Sequence, residues 1–136
     1  MEYSETELSK HRMNKAVEDL LAAKELFITE KYAQSINRSY YAIFHSTRAL
    51  LAFDRYDSKK HSGVIHFFHQ NYIAANKIEN QYGKIFSMAF NIRVRADYHD
   101  FFLASKEDAI KQLNNAEDFI NRIKSYLLTE MKIDSL

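Results

Sequence analysis

The sequence predicts an all-α protein, a five-helix up-and-down bundle, and three observations predict it. The 136 residues contain no proline and only two glycines, Gly63 and Gly83, so almost nothing interrupts long helices. Apolar residues recur at three- and four-residue spacing, and the strict alternation of a half-buried strand is absent. The longest such stretches are separated by short polar, charged segments that read as turns.

Each element can be justified in order. The opening "SETE" places Ser4 three residues before Glu7, a capping-box spacing. It predicts a helix to about Thr29, with Leu8, Val17, Leu20, Ala23 and Phe27 on an apolar stripe. After the break at "ITEKY", a second helix is expected from Tyr32 to Phe53, with Ile36, Tyr40, Ile43, Thr47, Leu50 and Leu51 on one face. "DRYDSKKHSG" reads as a loop, and "VIHFFHQNYIAA" as a short third helix. A fourth helix has Gly83 near its start and continues through Ile85, Phe86, Ala89 and Ile92. Ser105 then opens a fifth, on which Ile110, Leu113, Ala116, Ile120, Ile123 and Leu127 repeat. The length suits one domain over residues 1–136, with a core at about 6–128.

Composition narrows the function classes. Without cysteine there is no disulfide or thiolate metal site, and a cytoplasmic location is expected. No stretch reads as a signal peptide or membrane span, so no membrane partner is expected. Nineteen basic against eighteen acidic residues leave a net charge of +1, so any anion site must be local. No glycine-rich phosphate loop or nucleophile elbow is found, and no cofactor is expected. His66 and His69 stand at i and i+3 with His61 one loop away, but no carboxylate matches their spacing, and no metal is expected. "SKKHSG" could hold phosphate at the start of the third helix, or be an exposed loop.

Helical geometry singles out two polar groups. On the second helix, Arg38, Tyr41, His45, Arg48 and Arg55 fall within about a third of the circumference, opposite its apolar face. They read as a solvated stripe or, because Ala42, Ala49 and Ala52 lie on or beside it, as a face met by another helix. On the fourth helix, Arg93 lies within about 20° of Tyr82, on a mostly apolar stripe, while Arg95 points elsewhere. A guanidinium there needs a partner. Asp97 offers a helix-end ion pair; an anionic ligand would match the planar fork equally well. His99 would be about 120° from Arg93 on a continuous helix, so the two converge only if the helix ends between them.

"INRSYYAIFHSTRALL", "KKHSGVIHFF" and above all "RVRADYHDFF" resemble the HEPN domain family over about His11 to Leu128. The family signature is an arginine followed by a histidine after four to six residues, and Arg93 and His99 have five between them. The resemblance implies a helical bundle that forms a homodimer around this motif and, in active members, metal-independent endoribonuclease activity on RNA. It also implies a toxin role beside a minimal nucleotidyltransferase antitoxin. In that reading Arg93 and His99 are catalytic, and Asp97, Tyr98, Arg95, Arg38, Tyr41 and His45 support them or the phosphate. The chemistry fits: cleavage through the RNA 2′-hydroxyl needs a base, an acid and fixed positive charge, which histidine and arginine supply. Two positions depart from the pattern. Val94 stands where active members often carry a polar residue, and Phe101 where some toxins have a tyrosine that receives adenylate; Tyr98 is the neighbouring hydroxyl. The alternative is a non-catalytic module that binds a nucleotide or partner through the same surface.

Overall fold

The computed structural model describes residues 3–136, and all its regular elements are helical. Helix α1 spans Glu5–Ile28 and starts where Ser4 Oγ accepts the Glu7 amide at 3.1 Å. Its buried face is Ser9, Arg12, Met13, Ala16, Leu20 and Ala23. The stripe is therefore rotated from the expected one: Leu8 and Val17 flank it half-buried, and Arg12 lies inside it. Glu30, in the left-handed conformation at φ 62°, reverses the chain.

Helix α2, Tyr32–Leu51, is the central element, packed against α1, α4 and α5. The six residues expected on its apolar face are all buried. A 3₁₀ turn, Ala52–Asp54, carries it towards the expected end, and Arg55 in the left-handed conformation stops it. Helix α3 is His61–Phe68, beginning three residues before the expected Val64. It runs into a π-helical turn, His69–Ile73. Helix α4 is Asn80–Tyr98, and α5 is Lys106–Thr129. Ser105 starts α5 with a reciprocal cap: its Oγ accepts the Asp108 amide at 3.0 Å, and Asp108 Oδ2 accepts the Ser105 amide at 3.4 Å.

The main core is a knot of rings, in which Phe86 of α4 lies 5.8 Å from Phe68 of α3, 5.7 Å from Phe119 of α5 and 6.3 Å from Tyr40 of α2, centroid to centroid. Such tilted aromatic pairs hold four helices at fixed separation. A smaller cluster, Ile36, Ile92 and Ala109, closes one end of the bundle, with half-buried Phe102 packed on it. That anchor positions the segment following α4. Among the described residues no helix is long and apolar enough to cross a membrane.

Candidate active site

The two halves of the Arg–His pair have opposite surroundings. Arg93 continues the buried stripe Tyr82, Phe86 and Ala89, and is itself only 7% exposed. Its guanidinium carbon lies 4.7 Å from the centroid of the Tyr40 ring, 5.6 Å from Phe90 and 5.7 Å from Tyr41, so three aromatic rings hold the cation. Among the described residues its one ion pair, Nη1 to Asp97 Oδ2, is long at 3.5 Å, and Nε is buried without a hydrogen-bond partner. The guanidinium is therefore held more by aromatic rings than by hydrogen bonds.

His99 is exposed. Helix α4 ends at Tyr98, and His99, at φ −100° and ψ 113°, turns the chain out of the helix. The break expected between Arg93 and His99 therefore occurs immediately before the histidine. Its amide donates to the Arg95 carbonyl at 3.0 Å and its carbonyl accepts from the Phe102 amide at 3.1 Å, which fixes the backbone. No hydrogen bond or ion pair joins the His99 side chain to Arg93 among the described residues. Around it, Tyr98 is 72% exposed, Phe101 97% and Leu103 89%, while Arg95 reaches over the Phe102 ring at 5.5 Å.

Asp97 connects Arg93 to the second helix. Asn37 Nδ2 donates to Asp97 Oδ2 at 3.0 Å. Arg38 donates through Nη2 and Nε to Asn37 Oδ1, at 2.8 and 3.0 Å, and through Nη1 to Asp19 Oδ1 of α1 at 3.1 Å. A continuous polar chain thus crosses from α1 over α2 to α4. A shallow groove of about 560 Å³ lies above it, lined in part by Asn37, Arg38, Ala96 and Asp97.

The stripe on α2 is met largely by α1. Ala42, Ala49 and Ala52 are buried, Arg48 bonds Asp57, and Arg12 of α1 donates to the Arg48 carbonyl. His45 sits 3.8 Å from Asp19, but the contact is not a strong ion pair. Burial, with the cations of Lys15, Arg48 and Arg38, lowers the His45 pKa to about 4, leaving a neutral imidazole at neutral pH. Tyr41 bridges the regions, stacked under Arg38 at 4.8 Å and near Arg93. Arg55, at the end of the stripe, instead pairs with Glu5 at 2.6 Å.

Two contributors, Asn37 and Tyr40, were not among the expected site residues. Asn37 is one turn before Tyr41, on the polar stripe already recognised, so its spacing was a usable signal. Tyr40, assigned to the core, also faces Arg93 and shares a 2.8 Å hydrogen bond with His61 Nδ1. That long-range contact leaves no trace in local periodicity. Of the other histidines, His66 is exposed, and His69 donates through Nε2 to the Gly83 carbonyl at 3.0 Å. Gly83 is needed there, since a Cβ would come within 3.0 Å of that imidazole.

The model for the HEPN domain matches residues 9–126. The chain belongs to the HEPN domain family. It is 41% identical over 112 residues to the Methanocaldococcus jannaschii protein named "Putative toxin MJ0605", covering 82% of this chain and 83% of that one. A second protein of that organism, "Putative toxin MJ0142", is 32% identical over 87% of this chain and 80% of its own length. A Thermotoga maritima protein named "UPF0332 protein" is 30% identical over 87% of this chain and 89% of its own.

Proposed function

We propose that the protein is a metal-independent endoribonuclease, the toxin of a cytoplasmic pair whose antitoxin is a minimal nucleotidyltransferase, and that it acts as a two-fold homodimer. The observation that carries this reading is the state of Arg93: a guanidinium packed among three rings, with one long ion pair and an unpartnered Nε, one turn and a half from an exposed histidine. Fixed charge of this kind suits the phosphorane-like transition state of RNA cleavage. His99 supplies a proton-transfer group that solvent and substrate can reach. One copy carries one such histidine. A two-fold arrangement around the exposed Tyr98, Phe101 and Leu103 would bring a second Arg93 and His99 into one site, as base and acid. The toxin assignment is further supported by relatives that bear that name.

The test compares wild type with His99→Ala, in growing bacteria and on purified RNA with excess chelator. Wild type should slow growth and leave 2′,3′-cyclic phosphate ends, and His99→Ala should be folded and at least about a hundredfold slower. If wild type leaves RNA whole over a range of pH, or His99→Ala cuts equally well, the catalytic role is wrong. A partner-binding module would then be the better account, for which the burial of Arg93 is the favouring observation.

A further inference from the structure

The segment between α2 and α3 builds a second basic site. Arg48, Lys59 and His61 line a groove of about 500 Å³ with Phe44, Asp57 and Ser58. Asp57 is the sole carboxylate of that lining, and it is already engaged by Arg48 at 2.9 Å and Arg12 at 3.6 Å. Lys59 is exposed and has no ion pair or hydrogen bond from its side chain among the described residues. Positive charge therefore exceeds its local compensation.

The walls of this groove are rigid, which distinguishes it from a loose basic loop. Tyr56 stacks on Phe67 at 4.1 Å and donates its hydroxyl to the Gly63 carbonyl at 3.2 Å. A Cβ on Gly63 would collide with the Ser58 side chain, so the glycine lets the loop lie directly on α3. His61 stacks on Phe44, centroids 4.2 Å apart, and meets the Tyr40 hydroxyl through Nδ1 at 2.8 Å. When the tyrosine hydroxyl is the donor in this bond, Nδ1 accepts and His61 Nε2 carries an N–H. Burial and the nearby Arg93 and Arg48 cations lower the His61 pKa, consistent with this neutral tautomer.

Tyr40 touches both sites: its ring holds the Arg93 guanidinium and its hydroxyl holds His61. We infer that this groove is a second phosphate subsite, in which Arg48, Lys59 and His61 bind an RNA backbone phosphate adjoining the one at Arg93. The inference rests on the ribonuclease reading for its choice of RNA. Arginine and lysine supply charge, and the imidazole N–H adds a directed hydrogen bond.

The probe is a labelled single-stranded 12-mer with 2′-O-methyl groups throughout, which cannot be cut, so binding is read apart from cleavage. Lys59→Gln should weaken affinity about three- to tenfold and make the slope of log affinity against log salt shallower by about 0.7. His61→Phe, which keeps the ring stack and removes the N–H, should also weaken binding, while Lys111→Gln on α5 should leave it unchanged. Circular dichroism melts confirm that each variant is folded, and only folded variants are scored. Unchanged affinity and salt slope in both Lys59→Gln and His61→Phe, with wild type binding and cutting RNA, overturns the subsite and leaves the ribonuclease intact. Subsite-dependent binding by a wild type that cuts no RNA overturns the ribonuclease alone. An equal loss in Lys111→Gln shows unspecific charge and overturns the subsite. So does adenosine 5′-monophosphate binding as tightly as the 12-mer, which assigns the groove to a free nucleotide. Polyglutamate of equal charge displacing the RNA as well as unlabelled 12-mer would overturn the preference for phosphate.

Discussion

The two ends of the Arg93–His99 motif are six residues apart and built by different rules. Arg93 is treated as a core residue: buried, stacked among Tyr40, Tyr41 and Phe90, and tied through Asp97 and Asn37 to the second helix. His99 lies on a segment whose backbone is fixed but whose side chains face outward, with Phe102 anchored beneath and Phe101 and Leu103 exposed above. The difference teaches where substitutions should separate stability from function. Where the Arg93 cation is removed both should change together; around His99, assembly and activity should change while the fold survives.

The largest effect should come from the exposed end. Replacing Phe101 and Leu103 together by Asp puts two like charges from each copy into the proposed two-fold contact. The dimer should dissociate by at least about a hundredfold in analytical ultracentrifugation, because an apolar interface centre does not accept unpaired charge. Cleavage should fall in parallel, and the melting temperature of the monomer should hardly move, since both side chains are almost fully exposed. A doubly substituted protein that remains dimeric would break the comparison at its outward-facing half.

At the buried end, Arg93→Ala removes a packed side chain and leaves Asp97 without its cation. A loss of about 3 kcal/mol in chemical denaturation is expected, larger than a surface ion pair would give. A surface-pair scale does not apply to these two residues one turn apart, because the rings of Tyr40, Tyr41 and Phe90 bury this arginine. Arg93→Lys is therefore the cleaner probe. It keeps a cation over the rings and should retain most of the stability, while losing the planar fork and with it RNA affinity or turnover. Arg93→Lys with full activity would assign the residue to structure.

A third region sharpens the contrast by its response to pH. The His45 pKa is about 4 in the folded chain, against about 6.5 in an unfolded one, so below pH 6.5 the unfolded state binds protons that the folded state refuses. Its contribution is fully present above pH 6.5 and is lost as pH falls towards 4. Between pH 7 and pH 5 the loss should be about 2 kcal/mol. His61 and His69, also lowered, act in the same direction, whereas Asp19, raised by burial, acts in the opposite one at lower pH. Comparing His45→Gln with wild type isolates the contribution of this imidazole: the substituted protein should show a shallower stability slope over this range. Equal slopes would mean that His45 is solvated and charged.

The helices and their order were legible because the signals are local: Ser4 and Ser105 just before their helices, and apolar residues returning every third or fourth position; the reciprocal cap expected at Ser4 forms at Ser105 instead. The placement of Arg93 was legible for the same reason, since spacing alone puts it in line with Tyr82, Phe86 and Ala89. Its surroundings were not, because Tyr40 and Tyr41 come from another helix some fifty residues earlier. The stripe on α2 was visible as a stripe, but only packing shows that Asp19 of α1 takes Arg38 and faces His45. The π-helical turn at His69–Ile73 had no local marker. Its first residue, His69, meets Gly83 of α4, a contact between separate elements that local spacing does not carry.

The smallest effect tests whether the buried end is one unit or two neighbouring pairs. Asn37 gives its amide proton to Asp97 and accepts from Arg38 at its carbonyl oxygen, so among the described residues it is the hydrogen-bonded link between the Asp19–Arg38 pair and the Asp97–Arg93 pair, beside the ring of Tyr41. Asn37→Ala should cost about 1 kcal/mol, the scale of a partly exposed hydrogen-bonding pair. If the chain is coupled, the double variant Asn37→Ala with Asp97→Ala should cost less than the sum of the single changes by roughly 0.5 kcal/mol or more, because the second change removes a contact already broken. The same cycle with Asp19→Asn asks whether the link extends beyond direct contact, and coupling there should be weaker. Strict additivity in both cycles would divide the polar chain at Asn37. Arg93 would then be held by its rings and Asp97 alone, and α1 would have no part in placing the arginine.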